Sequence, residues 1–285
     1  MLLTRRALLA AITAPAVASK PHRSVYRGVE LGAQSFSFKD RDLNAMLDAC
    51  EASGVYSVEL WSGHIEPKRD RSPGGRERLR TWRIREGESI CTETVGRFQR
   101  RGIRLNAFNL SLRNDATDEE IDAAFRMTRA LGCDILTSSS NVSTAPRIDP
   151  FAKRHKVRVG FHNHARIKED EIATPEDFRR LTEGFSEYLG INLDTGHFHA
   201  AGFDNLDFMR RNHSKLTTLH MKDRKSNDGD KVPFGKGDTP LTEILHLLRD
   251  NRWSVPANIE MAYPNEDPVR EVRESMDYMK RALDG

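Results

Sequence analysis

From residue 29 onward, short apolar runs alternate with amphipathic stretches. The runs at 29–37, 55–60, 103–109, 133–138, 157–163, 189–194, 216–221 and 257–261 have the length and character of buried strands. Between them apolar positions recur at helical spacing, as at 43–52 and 118–131. The second of these follows Thr117, an N-cap residue with Glu120 three positions on. Thr174-Pro175-Glu176-Asp177 joins a cap, a proline at the first helical position and acidic first-turn residues. Stretches 207–211, 241–250 and 269–283 complete the series. Eight strands and about eight helices in this order predict a (β/α)8 TIM barrel, with residues 19–285 as one domain.

An open doubly wound sheet would place a glycine-rich phosphate turn after its first strand. Gly32-Ala33-Gln34-Ser35-Phe36-Ser37 carries no such turn. One connection, 61–87, breaks the rhythm with His64, Pro67, Pro73, Gly74, Gly75 and eight lysines and arginines. A loop of that length is usually functional, and it is read as a lid over the site. Its arginines, Arg69, Arg71, Arg76, Arg78, Arg80, Arg83 and Arg85, are expected to form a solvated basic face.

Barrels collect their chemistry at the C-terminal ends of the strands. Here those ends carry Glu59 and Trp61, His162 and His164, Asp194 and His197, His220 and Lys222, and Glu260. A buried imidazole or carboxylate costs several kcal/mol unless it is paired or metal-bound. The intervals from His162 to Asp194, His220 and Glu260 are 32, 26 and 40 residues, about one strand–helix unit each. Four neighbouring strands can thus each supply one ligand to a single divalent ion. Two imidazoles with two carboxylates suit Mn²⁺, Zn²⁺, Co²⁺ or Fe²⁺ better than an all-oxygen ion site, with Mg²⁺ also admitted. His162 and His164 lie on the same face of their strand, so either can be the strand-five ligand.

Supporting roles follow from position. Glu59 points inward and is read as a contact to a substrate hydroxyl or a second base, with an ion pair to a nearby cation as the alternative. Trp61, Gln34 and Asn109 are read as substrate-facing, and Lys222 and His164 as proton donors or acceptors.

Composition narrows the class. Lysine and arginine number 45 against 42 acids, a formal +3 that gives no electrostatic reason to expect nucleic acid. No apolar run reaches the roughly 18 residues of a membrane-spanning helix. Cys50, Cys91 and Cys133 form neither an even set nor a Cys-x-x-Cys pair, and read as buried thiols. Residues 1–18 place Arg5-Arg6 before a short apolar run and end in Ala16-Val17-Ala18, the form of a signal peptide. Thr4-Arg5-Arg6 resembles the twin-arginine type, so export of a folded protein to the periplasm or beyond is expected. Removing 1–18 takes two arginines and no acids, leaving +1.

Leu193-Asp194-Thr195-Gly196-His197, Leu219-His220-Met221-Lys222-Asp223, Gly235-Lys236-Gly237-Asp238 and Ile259-Glu260 together resemble the sugar phosphate isomerase/epimerase superfamily, the xylose isomerase-like barrels. The resemblance runs from about residue 29 to the end. It implies one divalent metal, a small carbohydrate or polyol-derived ketone as substrate, no nucleic-acid or membrane partner, and the option of a homodimer. Asp194, His220 and Glu260 match three of the family's ligands, and His197 resembles its substrate- or ligand-orienting histidine, which implies a substrate-binding role. In the epimerase branch the fourth is a glutamate, where this chain has His162. That change removes one of the two carboxylates of a symmetrical epimerase. A single-base reaction survives it: Glu260 takes the proton beside a carbonyl, and His164, His197 or Lys222 protonates oxygen or a departing group. Isomerisation and β-elimination both follow, elimination from a keto-sugar or keto-glycoside being the better match to an exported enzyme. The rival readings are a carbohydrate-binding barrel with a structural metal and an endonuclease IV-like phosphodiesterase.

Overall fold

The computed structural model describes residues 23–68, 70–261 and 267–285. The expected signal segment 1–18 and Arg69 therefore lie outside the described residues. Among the described residues nine strands run in chain order: β1 Val25–Tyr26, β2 Val29–Gln34, β3 Ser57–Trp61, β4 Arg104–Asn109, β5 Ile135–Ser138, β6 Arg158–His162, β7 Leu189–Asp194, β8 Leu216–Met221 and β9 Ala257–Ile259. Each of β2 to β9 pairs in parallel with the next, and β9 returns to β2 with Gly32 opposite Asn258. The result is the closed eight-strand barrel expected, with β1 added antiparallel to β2. The helices around it are α1 Leu43–Ala52, α2 Gly75–Arg85, α3 Gly87–Arg100, α4 Asp118–Ala130, α5 Ala145–His155, α6 Pro175–Thr182, α7 Thr195–Ala200, α8 Asn205–Asn212, α9 Leu241–Asn251 and α10 Pro268–Asp284. Among the described residues no helix is long and apolar enough to cross a membrane.

The apolar core lies mainly between the barrel wall and the helices, where Phe98, Phe108, Phe125, Phe161, Phe178 and Phe198 are buried. The three cysteines are buried and free, and burial pushes the Cys50 and Cys133 thiols up to about 12. Inside the barrel a polar column replaces the usual aliphatic layers. Ser57 donates to Glu30 at 2.6 Å, Asn106 donates to Ser57 at 2.8 Å, and the amides of Asn106 and Asn258 bond reciprocally at 2.8 and 3.2 Å. Gly32 makes room for that column: a Cβ there would lie 2.4 Å from Asn258 Oδ1.

Three local expectations change. The first strand ends at Gln34, because Ser35–Phe38 turns into a 3₁₀ helix capped by the Gln34 side chain. At α4 the Thr117 hydroxyl accepts from the Glu120 amide, but the Glu120 carboxylate does not close a capping box. It is fully buried and bonded instead to Arg76 and Arg83. The box does form at α6, between Thr174 and Asp177.

The 61–87 connection, read as a lid loop, holds α2 in its second half. Of its arginines, Arg71, Arg78 and Arg85 are exposed as expected, but Arg76, Arg80 and Arg83 turn inward. Arg76, Arg80 and Arg83 converge on Glu120, Arg83 also reaches Glu66 at 2.7 Å, and Arg78 pairs with Asp70. Helix α2 thus joins the helical layer largely through charge, with Trp82 packed against the core, which is why hydrophobic spacing did not reveal it. Burial would raise the Glu120 pKa, but the guanidiniums of Arg76 and Arg83 outweigh it and hold the carboxyl below its ordinary range. A depressed folded pKa stabilises the fold above the unfolded value and loses that effect as pH falls through the folded one. Glu120→Gln should therefore cost about 3 kcal/mol at neutral pH. Denaturant titrations should show the gap to wild type closing below about pH 4.

Candidate metal centre and active site

Strands β6, β7 and β8 and the residue after β9 deliver His162, Asp194, His220 and Glu260 to the same end of the barrel. One ligand atom from each lies within 4.8 Å of all the others. The nitrogens are arranged as ligands rather than as hydrogen-bonding groups. His162 Nε2 stands 3.4 Å from Asp194 Oδ2 and 3.6 Å from Glu260 Oε2, and has no hydrogen-bond partner among the described residues. His220 Nδ1 is 2.9 Å from Glu260 Oε2, yet among the described residues it too makes no hydrogen bond. Two buried ring nitrogens without partners, converging with two carboxylates, fit a divalent cation.

Backbone geometry fixes the carboxylates. Asp194 caps α7, its Oδ1 accepting the His197 amide at 2.7 Å, which leaves Oδ2 turned toward the centre. The α7 start lies against β8 because residue 196 is glycine: a Cβ there would lie 2.6 Å from the Lys222 carbonyl. The Lys222 ammonium, 3% exposed, bonds Asp194 Oδ2 at 2.6 Å and Glu260 Oε2 at 2.9 Å. Burial opposes its charge, but Asp194 and Glu260 raise its pKa above the ordinary value. Burial would likewise raise Asp194, and His197 with Lys222 holds it well below the usual carboxylate range. Glu260 is also low, with Lys222 and His220 overcoming the effect of burial. The His220 ring, pushed down by burial and up by Glu59 and Glu260, ends at about 10. Lys222 faces Asp194 and Glu260, while Glu59 lies beneath His220. With three carboxylates and one ammonium the group is net negative, by two with a neutral His220 ring and by one with an imidazolium, and a dication offsets that charge.

His164 stands outside the four-residue group. It lines a cavity of about 400 Å³ with Ala165, Arg166, Lys168, His197 and Arg224, its ring centroid 5.0 Å from that of His162. Burial and His162 bring its pKa down to about 4. Of the two histidines left open by the sequence, His162 is the one that reaches the cluster. His197 is held on both sides, with Nε2 3.2 Å from Lys222 Nζ and Nδ1 2.9 Å from Arg224 Nη1. Burial pushes it well below its ordinary pKa.

Other expected site residues are placed differently. Glu59 has no exposed surface and lies beneath His220, bonded to Thr137 and Asn258; it meets neither the cavity nor a lysine or arginine. It is therefore not positioned to hold a substrate hydroxyl or act as a second base. Gln34 is occupied as the cap of the 3₁₀ turn, and Asn109 donates to Thr137 at 2.9 Å. Trp61, half-buried at the end of β3, packs edge-on against Phe36 at 5.1 Å and His64 at 5.4 Å. His64 is structural, bonded to the carbonyls of Arg41 and Ser35. The Gly235–Asp238 segment organises a loop: Asp223 accepts the Gly235 and Gly237 amides at 2.8 and 2.9 Å.

Sequence reasoning passed over Arg224, Thr137, Asn192 and Asn258. A signal for the last two was present. Asn192, Thr218 and Asn258 each stand two residues before Asp194, His220 and Glu260, on the same inward face. Polar residues at those buried positions imply a supporting layer beneath the ligands.

The model of the xylose isomerase-like TIM barrel family matches residues 47–282 of the chain. The inosose isomerase of Halalkalibacterium halodurans is 32% identical over 82 residues, 27% of this chain and 29% of that one. The inosose dehydratase of Mesomycoplasma hyopneumoniae is 26% identical over 156 residues, 47% of this chain and 50% of that one. The chain thus spans half or less of the length of these two curated relatives. A crystal structure of the IolI protein with a bound zinc atom superposes with a TM-score of 0.66 at 16% identity, covering 89% of this chain and 97% of that one. At that identity the likeness is one of fold.

His162→Ala should weaken Zn²⁺ or Mn²⁺ binding by at least about tenfold in calorimetric titration, whereas His164→Ala should bind as wild type does. Equal loss in both variants would exclude this ligand assignment.

Proposed function

The chain belongs to the xylose isomerase-like TIM barrel family, and from that premise we propose that it is a divalent-metal-dependent isomerase or lyase. It removes a proton beside the carbonyl of a sugar-derived or polyol-derived ketone. The observation that carries this reading is the pair of partnerless buried nitrogens, His162 Nε2 and His220 Nδ1, facing Asp194 and Glu260. An inosose isomerase and an inosose dehydratase among the relatives support a cyclic ketone substrate and both outcomes.

His162, Asp194, His220 and Glu260 would hold the metal. A divalent cation supplies Lewis acidity there, polarising a carbonyl oxygen and acidifying the adjacent C–H bond. Glu260 is the ligand carboxylate whose side chain is not sealed off, at 15% exposed against 0% for Asp194, so it takes the proton. Lys222 carries its own proton 2.9 Å from Glu260 Oε2. In isomerisation Lys222 protonates the carbonyl oxygen, the proton held by Glu260 goes to the former carbonyl carbon, and the neighbouring hydroxyl returns its proton to Lys222 as it becomes the new carbonyl. In elimination the leaving group departs with the bonding pair and takes the Lys222 proton, which Glu260 replaces across that same contact. One base and one acid in contact thus do the work of two opposed carboxylates. His164, neutral at working pH, offers the cavity a hydrogen-bonding ring rather than a charged acid.

Export of the folded protein is part of the proposal and is supported by Arg5-Arg6 and the apolar run after them. It favours keto-glycosides over sugar phosphates as substrates.

Metal-loaded protein incubated with inososes and oxidised glycosides in D₂O should place deuterium on the carbon next to the carbonyl, read by NMR. Glu260→Gln should slow that exchange by about 10²-fold or more while circular dichroism stays native. Absence of exchange from metal-loaded wild type across the panel would overturn the enolising reaction, and undiminished exchange in Glu260→Gln would overturn the role of Glu260.

A further inference from the structure

Glu59 lies one layer below the cluster, and its surroundings are more specific than a buried acid needs for stability alone. We propose that Glu59 is a positioning residue: it holds the His220 ring with the hydrogen on Nε2, so that Nδ1 presents its lone pair to the cation. The inference rests on the metal reading above. Glu59 Oε1 accepts from the Thr137 hydroxyl at 2.6 Å and lies 2.9 Å from His220 Nε2, and Oε2 accepts from the Asn258 amide at 3.1 Å. Thr137 and Asn258 donate, and a carboxylate, which only accepts, calls for a hydrogen on His220 Nε2 as the third donor. The opposite nitrogen, His220 Nδ1, is the one facing Glu260 without a hydrogen-bond partner. A ligating imidazole whose far nitrogen donates to a carboxylate is fixed in orientation and made a stronger ligand.

The supporting layer points the same way. Asn258 is held by its reciprocal bonds to Asn106, and Gly32 leaves the space that pair occupies. Glu59 therefore cannot swing away from His220 without unpairing Asn258. Asn192 Nδ2, itself a donor, also stands 3.0 Å from His220 Nε2, while Asn192 Oδ1 has no partner among the described residues. Turning that amide end for end brings the free oxygen to the same N–H, so two acceptors would fix one ring hydrogen.

Two measurements test this. Zn²⁺ titrated calorimetrically into chelator-treated protein should bind wild type and bind Glu59→Gln about 10- to 100-fold more weakly, because the glutamine NH₂ meets one of the three donors. In zinc-loaded wild type labelled with ¹⁵N-histidine, the His220 ring should carry its hydrogen on Nε2 and none on Nδ1. A purely structural Glu59 would lower the melting temperature of the metal-free variant and leave zinc affinity unchanged, and that result overturns the proposal. So does a hydrogen on Nδ1, a readout that stands even if Glu59→Gln does not fold. Wild type that binds no Zn²⁺ would overturn the metal reading, and this inference with it.

Discussion

Asp194, Glu260 and Glu59 are drawn out of water at one end of a closed barrel, with the single ammonium of Lys222 facing two of them. Removing a carboxylate from water costs several kcal/mol unless donors and opposite charge replace the solvent. The surrounding structure does so with the His197 amide for Asp194, Thr137 and Asn258 for Glu59, and Lys222 bridging Asp194 to Glu260. What the protein atoms leave uncompensated is two ring nitrogens and an excess of negative charge. A divalent cation meets both needs at once.

The barrel suits this task because each group comes from a different strand and is held by a ladder on both sides. Asp194 and His220 are register partners across β7 and β8, and β9 returns beside β2 to bring Asn258 over Gly32. Moving one ligand by a residue would turn it to the wrong face of its strand. The same logic of buried charge operates on the outer layer, where Glu120 draws α2 onto α4 through three arginines. There the compensation is complete within the protein, and nothing points to a further ligand.

The legible parts of the sequence were those with strong periodicity. Apolar runs marked the eight barrel strands, and the caps at Thr117 and Thr174 marked helix starts. Helix α2 was not legible because its inner face is arginine, and its partner Glu120 lies 37 to 44 positions away in the chain. Gln34 looked like a site residue because it ends a strand. Its role depends on the chain turning at once into a 3₁₀ helix, which brings the Phe36 amide back to the side chain.

Sequence alone determined which side chains reach the barrel mouth, since a period of two and the rule of strand ends are local properties of the chain. It therefore brought His162, Asp194, His220, Glu260 and Lys222 together and named the family. Only the tertiary structure decided which of them touch. The choice of His162 over His164, and the position of Glu59 beneath His220 rather than in the cavity, depend on depth along the barrel axis and on ring orientation. Those are set by contacts such as Glu59 with Asn258, 199 residues apart, and no local pattern encodes them.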